Sequence, residues 1–184
     1  MSEERKIRDA IEANESRTRL HVVREHGDAH DHLSSPLHTM SLGHFDLELG
    51  GSLQSVTLAY RTWGTLNERG DNAIIVLHAL TGDSTAGGPG GWWEPLIGPG
   101  KALDTDHAFV VCANILGGCQ GSTGPSSHDP LTGRQLGMRF PLVTIGDMVT
   151  AQRRLLERLG VSRVVAVGGS IGGFQALEWA TRHP

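Results

Sequence analysis

Residues 164–179 read VVAVGGSIGGFQALEW. The opening run Val164-Val165-Ala166-Val167 is apolar and rich in β-branched residues, the composition of a strand buried on both faces. Gly168-Gly169-Ser170-Ile171-Gly172-Gly173 follows, then a helix-forming segment from Phe174 to Trp179. Gly168-x-Ser170-x-Gly172 fits a nucleophile elbow, a sharp strand-to-helix turn that lifts a serine hydroxyl above a parallel sheet. A serine in strained backbone leaves no room for side chains two residues before or after it, which explains the glycines. The helix behind Ser170 aims its first N–H groups at any negative charge that develops there. Ser170 is therefore the candidate nucleophile.

Two other glycine-rich turns are set aside by the same residues. The dinucleotide pattern G-x-G-x-x-G fails because Ser170 stands where its second glycine is needed, and no G-K-[ST] completes a phosphate loop.

The chain has 184 residues, enough for one core and a single domain. A formal charge of −4 gives no reason to expect nucleic acid or an anionic membrane as partner. No apolar run approaches the ~18–20 residues of a membrane span, and the charged N-terminus lacks a signal-peptide core. Cys112 and Cys119 match no zinc or redox spacing, so reduced thiols and a cytoplasmic setting are expected.

Residues 1–36 are rich in charge and histidine, and read as a mobile polar extension with a short helix over Arg5–Glu15. His26, His30 and His32 crowd with Asp28 and Asp31, ligand types that suit divalent ions, although a mobile tail holds no fixed geometry and no metal is assigned. Residues 37–184 carry the folded domain, with order expected from near Leu42. Phe45, Leu47 and Leu49, then Val56, Leu58 and Tyr60, alternate around Gly50-Gly51 and predict a hairpin. Ala73–Leu77 and Phe109–Ala113 predict buried strands. Between them stand the glycine-rich loop from Ala86 to Gly91, Trp92-Trp93 and the turn Gly98-Pro99-Gly100. The long loop from Asn114 to about Pro141 is dense in small polar residues and is expected at the site. Thr144-x-x-Asp147 opens a helix through Met148, Ala151, Leu155 and Leu159 that Gly160 ends. The alternation of strands and helices predicts an α/β fold with a mostly parallel sheet and helices on both faces.

A serine nucleophile needs a histidine base oriented by a carboxylate. After Ser170 the chain offers only His183 and Glu178, both on the helix behind the elbow and directed away from the hydroxyl. Neither serves. His78 ends a strand beside the presumed oxyanion loop and is expected to order that loop. One oxyanion donor is the N–H after the nucleophile, Ile171; the loop after an earlier strand, His78-Ala79-Leu80-Thr81-Gly82, nominates the Leu80 N–H as the second. The competing reading of Leu80 is an apolar plug under the loop.

Six blocks carry a more specific likeness: Tyr60–Asn67, His78–Asp83, Gly98–Asp106, Asn114–Ser127, Phe140-Pro141 and Gly168–Trp179. In order and spacing they resemble homoserine O-acetyltransferase, from about Leu42 to the last residue. The resemblance implies an α/β-hydrolase fold and acetyl transfer from acetyl-CoA to the hydroxyl of L-homoserine, in methionine biosynthesis, through an acyl-enzyme on Ser170. Acetyl-CoA is a substrate, so no cofactor is implied. It also implies that the triad aspartate and histidine lie in a C-terminal half beyond a helical lid, that the sheet is cut after the elbow helix, and that the complete enzyme is a homodimer. Residues Gly117–Ser127 and Trp92-Trp93 would then wall a tunnel that excludes water. The rival readings are succinyl-CoA as donor, serine as acceptor, a plain esterase against which the Gly117–Pro125 block argues, and a non-catalytic fragment or interaction module.

Overall fold

A computed structural model describes residues 34–184 of the chain. The Arg5–Glu15 helix and the histidine cluster at His26, His30 and His32 lie outside the described residues. Order begins earlier than the apolar alternation predicts. Ser35 Oγ accepts the Thr62 N–H at 3.0 Å, and the first strand starts at His38.

Strands β1 (His38–Asp46) and β2 (Ser52–Trp63) form the expected antiparallel hairpin. Its turn closes through Gly50 N–H to Leu47 O (3.0 Å) and Leu47 N–H to Gly51 O (3.1 Å). Gly50 and Gly51 both have φ above +80°, which a side chain would oppose. Phe45 and Leu47 are buried, whereas Leu49, expected to continue the apolar alternation, sits in the turn and is 69% exposed. The pleat ends at Asp46, and with it the period of two.

The sheet continues with β3 (Ala73–Leu77), β6 (Phe109–Ala113) and β7 (Val164–Gly168), in the spatial order β1-β2-β6-β3-β7. β3, β6 and β7 are mutually parallel, and β2 meets β6 antiparallel. Helices α1 (Ile145–Arg158) and α2 (Ile171–Arg182) connect and follow the last strand. Their apolar sides, with Val149, Leu155 and Trp179, close one core over Ile75, Leu77 and Val111. The opposite face is covered differently. Trp63, Val76, Val110 and Cys112 pack there with Ala86 and Ile97 from the segment between β3 and β6. That segment contains two very short parallel strands, β4 (Ile97–Gly98) and β5 (Leu103–Asp104), which no apolar run announces.

β7 pairs with β3 alone among the described residues. Val165 is 63% exposed on it, so the reading of this strand as buried on both faces does not hold within residues 34–184. Its second edge has no neighbour there, and Phe174 and Leu177 on α2 are also exposed. No helix among the described residues is long and apolar enough to cross a membrane.

The N-terminus of α1 ties the layers together. Thr144 Oγ1 accepts Asp147 N–H at 3.0 Å while Asp147 Oδ2 accepts Thr144 N–H at 2.9 Å, the capping box read from the sequence. The other oxygen of buried Asp147 accepts Glu48 N–H at 3.0 Å, joining the helix to the hairpin turn. Glu48 in turn accepts from the Thr144 hydroxyl and pairs with Arg182 of α2. The Thr144 hydrogen bond, helped by Arg182 and opposed by partial desolvation, holds the Glu48 carboxyl below its ordinary value. A depressed carboxylate adds stability above its unfolded value, and that stability fades as pH falls through the folded one. Thr144→Ala should therefore lower unfolding stability by about 1–2 kcal/mol near neutrality. The gap between variant and wild type should narrow in urea titrations repeated at about pH 3.

Candidate active site

β7 ends at Gly168, in register with Leu77 of β3. A tight turn follows, closed by Gly172 N–H to Gly169 O at 3.0 Å. Ser170 occupies its first central position with φ 58° and ψ −128°, the type II′ geometry that ordinarily takes glycine. It is the one non-glycine residue with positive φ among the described residues. Such a conformation costs roughly 1–3 kcal/mol and persists only where its surroundings impose it.

The imposing group is the Leu77 carbonyl. A Cβ on Gly172 would stand 2.0 Å from that oxygen, and one on Gly168 would stand 2.6 Å from it. The four glycines of the motif thus divide into two kinds. Gly168 and Gly172 are sterically required, while Gly169 has nothing within 4 Å and Gly173 meets its nearest atom at 3.6 Å. Close approach of α2 to the end of β3 brings the elbow against the segment that leaves β3.

In that segment Gly82 N–H bonds to Ala79 O at 2.8 Å, making a turn with Leu80 at its first central position. Neither the Leu80 N–H nor the Ile171 N–H donates a hydrogen bond among the described residues. The Leu80 side chain is 66% exposed and plugs nothing. His78 is buried; its Nε2 accepts the Ile115 N–H at 3.3 Å, which leaves Nδ1 to donate to Ala79 O at 2.7 Å. Both ring nitrogens are occupied by backbone, so His78 orders the loop and is no base for Ser170.

The loop forms the wall between two cavities, since Thr81 and Gly82 line both. One, of about 470 Å³, reaches Gly169 and is bounded by Asp83, Trp92 and Trp93. Trp92 is fixed there by Nε1–H to Asp83 O at 2.9 Å. The other, of about 580 Å³, is lined by Leu80, Leu116, Cys119, Phe140 and Met148. The tryptophans and the Gly117–Ser127 loop therefore line separate cavities, one on each side of residues 81–82.

Ser170 Oγ is exposed and has no hydrogen-bond partner among the described residues. Glu178 pairs with Arg182, and His183 packs edge-on to Trp179, with ring centroids 5.3 Å apart, at the far end of α2. A helix of 12 residues puts that end ~18 Å from the elbow. Burial, with nearby Arg153 and Arg182, lowers the His183 pKa. Cys112 is no competing nucleophile, because burial and the Asp83 charge push its thiol far up. No group of three potential metal ligands occurs among the described residues. Sequence reasoning missed Asn114, which directly follows β6 and contacts the loops beyond both β3 and β6. Its one signal is an amide immediately after an apolar strand.

A mixed sheet whose last parallel strand ends in a strained serine, with a helix N-terminus behind it, defines a hydrolase-type α/β fold. The chain belongs to the alpha/beta hydrolase fold family, which residues 72–184 match. It is 60% identical over 146 residues to a homoserine O-acetyltransferase of Solidesulfovibrio magneticus, covering 75% of this chain and 37% of that one. Among solved structures it resembles homoserine O-acetyltransferase from Bacillus anthracis, with 35% identity and a TM-score of 0.77 over 82% of this chain and 44% of that one. An acetylester hydrolase from Corynebacterium glutamicum matches with 37% identity and a TM-score of 0.70 over 81% of this chain and 41% of that one. The chain spans less than half the length of each.

The glycine assignment has a direct check in denaturant unfolding. Gly172→Ala should cost about 2 kcal/mol or more, because backbone must move, whereas Gly173→Ala should be neutral or stabilising by up to ~1 kcal/mol. Ser170→Gly should raise stability by about 1 kcal/mol by releasing the strained φ, and Ser170→Ala should not.

Proposed function

We propose that this chain is the nucleophile-bearing part of an acyltransferase that moves an acetyl group from acetyl-CoA to the side-chain hydroxyl of L-homoserine. The observation that carries the proposal is the strained, exposed Ser170 at a helix N-terminus, in a sequence 60% identical to a relative of that name. Ser170 Oγ attacks the thioester carbonyl; the C–S bond breaks and coenzyme A departs with the serine proton. The homoserine hydroxyl then attacks the Ser170 ester; the bond from Ser170 Oγ to the acyl carbon breaks, the hydroxyl proton passes through the base to Ser170 Oγ, and O-acetylhomoserine leaves. In both halves the oxyanion forms against the Leu80 and Ile171 N–H groups, each worth roughly 3–4 kcal/mol in comparable acyl transfers.

The base is a histidine–carboxylate pair beside Ser170 that the described residues do not supply: His44 and Asp46 pair on the far edge strand β1, and His107 and Asp104 lie at the opposite end of the parallel strands. The 184 residues alone are accordingly expected to transfer acetyl weakly or not at all, and the complete enzyme to act as a cytoplasmic homodimer without a further cofactor. The likeness to an acetylester hydrolase supports a second reading in which water takes the acetyl group. A succinyl donor or a serine acceptor would use the same elbow.

Incubation of the complete enzyme with labelled acetyl-CoA, with and without homoserine, separates these outcomes. Label on homoserine is expected; release as acetate alone would favour the hydrolase, and no loading would sink both. Ser170→Ala should abolish the acyl-enzyme with the fold retained, and label trapped on the variant would refute the nucleophile. Leu80→Pro, which deletes the N–H, should lower turnover on the order of 10²-fold with donor binding less affected. Normal turnover in a correctly folded variant would exclude Leu80 as a donor.

A further inference from the structure

Residues 79–83 hang between two anchors, and both anchors belong to the neighbouring strand. At the near end His78, leaving β3, accepts the Ile115 N–H beyond β6 at 3.3 Å. At the far end the buried Ser84 N–H donates to Asn114 Oδ1 at 2.6 Å. Asn114 is 3% exposed, and every polar group it has is engaged. Its N–H donates to Ala59 O at 2.8 Å, its carbonyl accepts Ser122 Oγ at 2.6 Å, and its Nδ2 donates to Gln120 O. Each strand end thus sends one side chain to the backbone of the other's loop. The result is a reciprocal brace on two adjacent parallel strands.

We infer that Asn114 is a positioning residue that fixes loop 79–83, and through it the Leu80 N–H, without touching substrate. That the Leu80 N–H is used in acyl transfer rests on the function proposed above; that the loop is held by Asn114 rests on the brace alone. Space filling at this buried position needs no amide, but the brace needs an acceptor for Ser84 and a donor for Gln120. Oxyanion stabilisation depends on donors placed before the charge appears, so a loosened loop slows the chemical step more than donor binding.

Hydrogen exchange on the complete enzyme reads the brace directly, comparing wild type with Asn114→Ala and Asn114→Asp. Asparagine to alanine removes both links, and exchange of amides 79–84 and 117–121 should each rise about tenfold with the β1–β2 hairpin unchanged. Aspartate keeps the acceptor for Ser84 and loses the donor to Gln120, so only 117–121 should loosen. In the complete enzyme Asn114→Ala should slow acetyl loading about tenfold at unchanged half-saturating acetyl-CoA, and Asn114→Asp should restore most of it. Unchanged exchange at 79–84 in Asn114→Ala, a uniform rise across the sheet, or equal loosening of 79–84 in both variants would overturn the inference. Failure of the wild-type enzyme to load acetyl would count against the proposed function, while the exchange pattern still decides the brace.

Discussion

The carbonyl oxygen of Leu77 occupies the space that a side chain at position 168 or 172 would need. That single contact sets the distance between the end of β3 and the start of α2. With glycine at both positions the helix backbone closes directly onto the strand, and Ser170 is forced into a turn that L-residues avoid. The same approach draws the segment leaving β3 alongside the elbow. Interiors packed at crystal-like density do not absorb an extra methyl by local give. The strain at Ser170 is thus maintained by steric exclusion two residues on either side of it.

Elements whose signal is local are legible in the sequence. Ala73–Leu77 and Phe109–Ala113 coincide with their strands, and Thr144 with Asp147 caps a helix as the spacing implies. Elements defined by tertiary surroundings are not. Leu49 keeps the apolar alternation but lies past the end of the pleat. β4 and β5 are too short to show a period. Val165 reads as core because composition reports what a strand tolerates, not which neighbours it meets. At the site, Ser170 and the Leu80 loop follow from motif order. The difference between Gly168 and Gly169, or the engagement of every polar group on Asn114, needs coordinates. Hydrogen bonds between loops 30 residues apart leave no periodic trace.

On the proposed function, the elbow and its flanking amides would act on an acyl carbon and be indifferent to what removes the acyl group afterwards. Transferase and hydrolase chemistry therefore share this half of the site, consistent with the presence of both names among the similar structures. Under that proposal, selection between a hydroxyl acceptor and water would lie in how tightly the space over Ser170 is closed. Trp92, Trp93 and Asp83 bound the cavity that reaches Gly169, the residue before Ser170.

The position of β3 also bears on how the chain acquires its shape during synthesis. Ala73 pairs with Phe109 and with Val164, partners that lie 36 and 91 residues further along. The hairpin of β1 and β2 closes from adjacent sequence, but β3 leaves the ribosome with no partner on either side. At about 5–20 residues per second, roughly 5–20 seconds pass before its second neighbour has been made. Throughout that interval Ile75, Val76 and Leu77, all buried at the end, present an open apolar strand. Of the described strands that gain two neighbours, the one against which the elbow packs thus waits longest for its second, and a nascent-chain chaperone would find a persistent target there.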